Sequence, residues 1–358
     1  MNPLRSQARY RLQARADLVR AIGVGPAWRR VRADRRHRRV LLGRAPRVAE
    51  QMWREAAAEL GAEVRELAPT LLEFSLNGAK TRIRGQTTPL ADPVSTEVAE
   101  NKALALRILA EAGLPVPFHA VLDAGAGELR TDVPSPWIVK PAGGAGGAGV
   151  TGEARTEEQL GRALVHAWKY DSAAIVEQQA EGDTYRVLVL DGEILDVIRR
   201  RRPRITGDGR STIEELIFAE YARRIASEGP SGLKHLAVDL DCLFTLERGG
   251  RTPRSVLADG ESAVIKTATN YNGPEETETL DGPAPPGLAD ASRIAAGALG
   301  VRLAGVDIVT TDPARPVAET GGVVLEANPV PGLTHHYNVA DSAGATRIAV
   351  PILRALLT

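Results

Sequence analysis

Cysteine is nearly absent: the 358 residues contain a single one, Cys242, so no internal disulfide can form and no cysteine-based metal site can be built. That scarcity suits a reducing compartment, with the cytoplasm as the expected location. Long apolar runs are missing as well. No stretch of eighteen apolar residues occurs, and the first residues carry scattered arginines instead of an uninterrupted apolar segment, so neither membrane spanning nor secretion is expected. Net charge is also lacking, because Lys+Arg and Asp+Glu both total 45, which leaves no overall electrostatic reason to expect nucleic acid or another polyanion. Finally, the pattern G-x-x-x-x-G-K-[ST] is absent, which argues against a P-loop nucleotidase, and a Rossmann dinucleotide site is poorly supported.

What is present is 43% hydrophobic residues in a chain long enough for a two- or three-lobed enzyme with a real core. Charge of one sign is uneven locally. Residues 1 to about 47 carry fourteen arginines and no lysine, densest from Arg29 to Arg39. Such a segment could hold phosphates or an acidic peptide, or could be a solvated helical face, and the chain's general preference for arginine over lysine favours the second.

The periodicity predicts a mixed α/β (α+β) architecture. Val40-Leu41-Leu42, ending at Gly43, reads as a strand, followed by a helix from Ala45 to Leu60 that Gly61 stops, and together these suggest a small N-terminal α/β lobe over residues 1–94. A helix is expected from Ser95 to Ala112, capped by Ser95 or Thr96 and closed by Gly113 and Pro115. Trp137-Ile138-Val139-Lys140 reads as a buried strand, Thr156 to Trp168 as a helix, and Ala174 to Glu177 as another strand. Tyr185 to Leu190 and Glu193 to Ile198 flank Asp191-Gly192, a strong hairpin signal. Helices are predicted over Thr212 to about Ala226, over Leu288 to Leu299 and at the C-terminus, with strands over Leu303 to Val309 and Val323 to Ala327.

Two constellations carry chemistry. The first is the run from Lys140 to Val150, in which Gly143, Gly144, Gly146, Gly147 and Gly149 leave the backbone almost without side chains, so N–H groups can close over phosphates while Lys140 supplies positive charge. A flexible linker is the competing reading, but a linker seldom sits between two strands. The second is Asp307, in an otherwise apolar strand, with Glu326 and Asn328 in another. Strand residues two apart share a face, so Glu326 and Asn328 point the same way, and an adjacent strand can bring Asp307 alongside. Burying carboxylates together without a cation is costly, whereas magnesium prefers such hard oxygen ligands. The alternative is a pair of strand-end acids neutralised by arginines such as Arg302.

These residues resemble the ATP-grasp superfamily, most specifically the ATP-grasp portion of the cyanophycin synthetases and more distantly the D-alanine:D-alanine ligases, over roughly Ser95 to Val339. The carriers are Glu100-Asn101-Lys102, Val139-Lys140-Pro141 with the glycine run, Glu181-Gly182-Asp183, Gly207-Asp208-Gly209-Arg210-Ser211-Thr212, and the stretch from Ala304-Gly305-Val306-Asp307 to Glu326-Ala327-Asn328-Pro329. The resemblance implies an ATP-grasp domain over 95–358, with a nucleotide-closing part at about 115–200 and a metal-binding part at about 201–358. It implies that Lys102 and Lys140 contact ATP phosphates, that Glu177, Gln178 and Ala180 meet the adenine, that Asp183 lies near the ribose, and that Asp307, Glu326 and Asn328 hold Mg2+. Arg186 and Arg200 would act with Lys140 on the phosphates or an acyl phosphate, and the segment from Lys266 to Asn272, Asn270 included, would shape a substrate pocket. Separately, His335 and His336, after Pro331-Gly332, read either as pocket residues or as exposed imidazoles on a turn. The implied activity is ATP-dependent amide-bond formation on an amino acid or short peptide. The expected partners are those small molecules and further copies of the chain. Thr184 stands where these relatives usually carry an acid, and the polar residues of cyanophycin synthetase's loop are replaced by Ala145, Gly146 and Ala148, which points to altered substrate choice.

Overall fold

The computed structural model describes residues 3–124, 131–144, 146–234, 236–341 and 344–358. The chain opens with two helices, α1 (Pro3–Ile22) and α2 (Val24–Leu60), joined at Gly23. Val40-Leu41-Leu42 is therefore helical and not a strand. Three apolar residues in a row are compatible with either state, and here α2 runs through Gly43 and even Pro46. The proline removes the hydrogen bond that Leu42 would accept, but Leu42 is 75% exposed, so water can serve its carbonyl, and Arg47 donates through Nε to Gly43 O (3.0 Å). The helix stops where expected, at Gly61 in the left-handed region.

A three-stranded antiparallel meander follows, β1 (Glu63–Ala68), β2 (Leu71–Leu76) and β3 (Ala79–Arg84). Phe74, Ile83 and Trp53 of α2 form its buried face, with Trp53 donating through Nε1 to Gly85 O (2.8 Å). The predicted helix from Ser95 is two helices, α3 (Pro93–Glu100) and α4 (Lys102–Glu111). Asp92 caps the first and Asn101 the second, each accepting from a backbone N–H three residues on. The break at Asn101 is what starts Lys102 at a helix N-terminus.

The next sheet has the order β4-β7-β5-β6, all antiparallel: β4 (His119–Asp123), β5 (Trp137–Pro141), β6 (Thr151–Ala154) and, after helix α5 (Glu157–Trp168), β7 (Ala173–Gln178). Thr156 caps α5 in a reciprocal capping box with Gln159. One face of this sheet packs Trp137, Val139 and Val176 against Leu160, Leu164 and Trp168 of and beside α5. The other face carries Ile138, Lys140 and Glu177.

The hairpin β8 (Asp183–Leu190) and β9 (Glu193–Arg200) turns at Asp191 and Gly192, both with positive φ as a two-residue hairpin loop requires. Beyond it come β10 (Arg204–Thr206), α6 (Ile213–Ala226), α7 (Leu240–Arg248), β11 (Ser262–Val264), β12 (Thr277–Thr279) and α8 (Pro286–Ala298), then β13 (Leu303–Thr310), β14 (Val323–Asn328) and α9 (Ala349–Leu356). A five-stranded sheet of order β12-β9-β8-β13-β14 is antiparallel throughout. Its inner face is an apolar layer in which Tyr185, Val187, Val306 and Ile308 meet Leu288 and Ala295 of α8. Toward the turn end its other face joins the meander's core, where Leu188, Leu190 and Leu303 pack with Phe74, Trp53 and Leu353 of α9. Among the described residues no helix is long and apolar enough to cross a membrane.

Candidate active site

A cavity of about 680 Å3 lies between the two larger sheets, and its lining draws on both. Lys140 and Glu177 come from the four-stranded sheet, while Arg186, Arg200, Asp307, Glu326 and Asn328 come from the five-stranded one. The register explains the second set. Asp307 is directly opposite Arg186 on β8 and opposite Glu326 on β14, and Gly305 is opposite Asn328. Alternation then sends Val306 and Ile308 into the apolar layer and Asp307 into the cavity. A bulge beside Asp307 sets Val324 opposite Ile308, so that Leu325 and Glu326 both line the cavity.

The charges are closely organised. Arg186 grips Asp307 through both nitrogens of its fork, Nε to Oδ1 at 2.7 Å and Nη2 to Oδ2 at 2.6 Å, and Arg200 Nη1 lies 3.7 Å from the same carboxylate. Burial alone would raise the Asp307 pKa, but the Arg186 and Arg200 charges outweigh it and hold the carboxyl below its ordinary value. Burial, with Arg186 close by, lowers Arg200 to about 10. Lys140 Nζ is 2.6 Å from Glu177 Oε1. Burial opposes its charge, yet Glu177 and Glu326 prevail and its pKa is raised. Lys102 donates to Gly144 O at 2.9 Å and stands 3.8 Å from Glu326, tying α4 to the glycine loop and to β14.

The deep end is basic without matching acid. Lys234 Nζ lies 2.9 Å from His335 Nδ1, and no carboxylate pairs with Lys234 among the described residues. Burial first, then the charges of Arg200 and Arg186, push the Lys234 pKa well below its ordinary value, and burial with the Lys234 charge does the same to His335. An anion entering here would offset the crowding of positive charge around both groups.

The glycine loop forms one wall of the cavity. Gly144, Gly146, Gly147 and Gly149 all have positive φ, which other residues rarely adopt. At Gly147 an added Cβ would lie 2.6 Å from Asn270 Nδ2, so the loop touches the far wall of the cavity. Asp171 holds the loop's start by accepting from Gly143 N at 2.6 Å. Ala145 lies outside the described residues.

Most of the residues singled out from the sequence line this one cavity: Lys102, Lys140, Gly143, Gly144, Gly146, Gly147, Glu177, Gln178, Ala180, Asp183, Arg186, Arg200, Asn270, Asp307, Glu326, Asn328 and His335. Three do not. Gly149 packs beneath the loop, where a Cβ would meet the Tyr170 ring at 2.6 Å. Lys266 is 1% exposed and bound to Asp239, with Asp241 at 3.8 Å and the Tyr271 ring beneath it. His336 is fully buried and bonded through Nδ1 to Asp196 Oδ2 at 2.6 Å, so it is neither a pocket residue nor an exposed imidazole. Both side chains are claimed by acids far away in sequence, which no local motif reveals. The alternative partner for the buried acid also differs: Arg302 pairs with Asp191, not Asp307. Conversely, Lys234, Arg202, His37 and Leu41 line the cavity without having been singled out. His37 and Leu41, one turn apart on α2, bring the arginine-rich arm to the site.

A D-ala D-ala ligase C-terminus family matches residues 108–209, from the last residues of α4 to just past β10. Cyanophycin synthetase of Geminocystis herdmanii is 31% identical over 297 residues, covering 81% of this chain and 34% of the relative. That of Trichormus variabilis is 33% identical over 284 residues, 77% of this chain and 31% of the relative. The chain thus spans about a third of these curated relatives. Among solved structures, a bifunctional glutathione synthetase from Pasteurella multocida superposes with a TM-score of 0.53 at 21% identity, covering 84% of this chain and 42% of that one.

The fold is that of the ATP-grasp ligases. Two facing sheets and the glycine loop bound the cleft, and the chemistry of its donor set can be tested for a metal. Asp307 and Glu326 carry hard oxygens side by side. Asn328 spends its Nδ2 on Gly305 O (3.2 Å) and Glu326 Oε1 (3.1 Å), which leaves its carbonyl oxygen without a partner among the described residues. Two carboxylates and a free amide oxygen on one rim suit a hard divalent cation, with Arg186 and Lys102 supplying the positive charge in this structure.

Proposed function

We propose that this chain is an ATP- and Mg2+-dependent carboxylate–amine ligase that forms an amide or peptide bond through an acyl phosphate, releasing ADP and phosphate, on an amino acid or short peptide. The observation that carries this reading is the convergence, across one cleft, of Lys102 and Lys140 beside the glycine loop with Asp307, Glu326 and Asn328 on the opposite sheet. Residues 1–94 are read as an accessory lobe and 95–358 as the grasping unit, acting as a homo-oligomer in the cytoplasm.

Phosphoryl transfer from a nucleotide needs positioning and charge neutralisation more than a side-chain nucleophile. Lys140 and Lys102 would bind phosphate oxygens, and the loop's backbone N–H groups would close over them. Asp307, Glu326 and Asn328 would hold Mg2+, which when bound neutralises developing charge on those oxygens. Arg186 and Arg200 lie beside the acids and would orient the attacking carboxylate and stabilise the acyl phosphate. The basic end at Lys234 and His335 would receive a substrate carboxylate, and the glycine loop would exclude water that hydrolyses the intermediate.

The test is ADP release by the purified chain with ATP, Mg2+ and a panel of amino acids and short peptides. Hydroxylamine should trap the acyl phosphate as a hydroxamate, and Asn328→Ala should abolish turnover. No ADP release with any substrate would sink the ligase reading. Hydroxamate formation without any productive amine would reassign the chain as a carboxylate kinase acting with another nucleophile.

A further inference from the structure

The arginines of the first two helices are not spent on the cleft. Only His37 and Leu41 of α2 reach it. The adjoining side of α2, beginning on the His37–Leu41 stripe at Arg30 and Asp34, faces a second, solvent-open cavity of about 660 Å3, lined by α1, α2, α5 and the start of α7. From the arm, Arg11, Arg15, Arg30, Arg35, Arg38 and Arg39 line it. Across from them stand Arg162 and Lys169, and the acids are Asp17, Asp34 and Asp239. Eight cations against three carboxylates is an excess of five, in a chain whose formal net charge is zero.

The three acids are already committed. Asp34 accepts from Arg30 at 2.6 Å, Asp17 lies 3.2 Å from Arg20 and 3.9 Å from Arg162, and Asp239 binds Lys266, which points away from this cavity. Arg11, Arg15, Arg35, Arg38 and Arg39 make no ion pair within 4 Å to a carboxylate of the described residues, and Lys169 Nζ lies over the Tyr170 ring at 4.7 Å, in the fields of Asp239 and Asp34. Burial, together with the charges of Arg30 and Arg11, lowers Lys169 to about 8 despite Asp239. Clustered like charge of this kind is relieved by an anion.

The walls say which kind. They are largely helix sides, without a strand edge to pair with an extended peptide, and the Val238 carbonyl in the non-helical stretch is taken by Arg30. The free donors are guanidinium forks and an ammonium, which match the oxygens of a phosphate. We propose that this second cavity binds a compact, phosphate-bearing anion. The site also adjoins the first: Lys169 is followed by Tyr170, on which Gly149 packs, and by Asp171, which holds Gly143. If the cleft is a nucleotide site, as proposed above, occupancy of the second cavity tightens nucleotide binding by fixing the base of the glycine loop.

Inorganic tripolyphosphate serves as the probe, titrated calorimetrically into the full chain without Mg2+. Arg35→Glu/Arg39→Glu reverses two exposed charges facing the cavity, while Arg32→Glu/Arg36→Glu makes the same charge change on residues outside its lining. The first pair should weaken a saturable site by about tenfold or more and the second by less than about threefold. Equal weakening would mean general attraction to a basic helix and would overturn the site, as would absence of saturable binding or equal affinity for triglutamate. Lys140→Met should leave the Arg35- and Arg39-dependent binding intact, separating it from probe in the cleft. Binding at pH 8 should take up protons at Lys169, read as dependence of the heat on buffer ionisation. Heat independent of buffer would show that the probe does not reach Lys169 and would overturn the site. Thermal melts establish that each variant is folded. Should the chain release no ADP with any substrate, this binding is expected unchanged, so the two readings fail separately.

Discussion

Asp307→Asn is the most informative single substitution, because the structure makes its stability cost calculable. The carboxylate takes two short bonds from Arg186 and has Arg200 at 3.7 Å, and both ends of the Arg186 pair are about 6% exposed. Asparagine keeps the shape but removes the charge, leaving two buried guanidinium groups facing Glu326, whose nearest approach to Arg186 is 4.0 Å and which is 28% exposed. A unit charge pair at such a distance is worth about 4 kcal/mol at an effective dielectric of about 20. Against this, the variant avoids desolvating the carboxylate, which costs several kcal/mol. The second effect does not win, because the arginines stay buried and lose their partner. Breaking one side of a buried pair typically costs about 3–5 kcal/mol, and that is the expected loss. Urea unfolding should show a lower midpoint at unchanged slope, hydrogen exchange should speed up in β8 and β13, and 0.5 M NaCl should alter the difference little, since salt hardly screens a buried pair. A loss below about 1 kcal/mol, or one erased by salt, would refute the reasoning and mean that water already screens the pair.

Two further expectations follow from the geometry. Gly149→Ala and Gly144→Ala both place a side chain at positive φ, but only at Gly149 does the Cβ strike a ring, 2.6 Å from Tyr170, while Gly144 faces open space. Gly144→Ala should cost about 1 kcal/mol and Gly149→Ala about 2 or more, with a rise in the KM for ATP confined to the second; melting curves and steady-state kinetics check this. Burial, and secondarily the Lys169 charge, lowers His166 from 6.5 to about 3 against the opposing pull of Asp239. The unfolded chain therefore binds a proton that the folded one does not, so stability falls as pH drops from about 6.5 towards 3. The slope belongs to His166 if His166→Asn flattens it by up to about 1.4 kcal/mol per pH unit in an acid titration followed by urea midpoints.

Where a residue's role follows from local pattern, the sequence was readable. The period of two in Glu326 and Asn328 fixed their shared face, Asp191-Gly192 set the hairpin, and the helices expected from Thr156 and Thr212 begin at those residues, each a side-chain cap. Where the role depends on a distant partner it was not. His336 looked like a pocket residue because it follows a glycine turn, but Asp196, 140 positions away, claims it. Lys266 is taken by Asp239 in the same manner. Lys234 sits in a stretch with no motif, and only the folding of β8, β9 and the His335 turn around it creates its basic surroundings. Val40-Leu41-Leu42 failed differently. Its residues suit strand or helix, and packing of α2 against the rest of the chain decided between them.

The placement of Arg186, Asp307 and Glu326 at one level of three adjoining strands makes the site a digital device. Main-chain ladders fix these three relative to one another, so their spacing cannot drift by fractions of an ångström as loop-borne groups can. A slip of β13 by one residue would turn Asp307 into the apolar layer and Val306 or Ile308 into the cleft, an outcome that ends function and folding together. Variation that retunes this protein must therefore fall on what surrounds the row: the glycine loop, the basic turn at Lys234 and the helical arm that brings His37 and Leu41 to the rim.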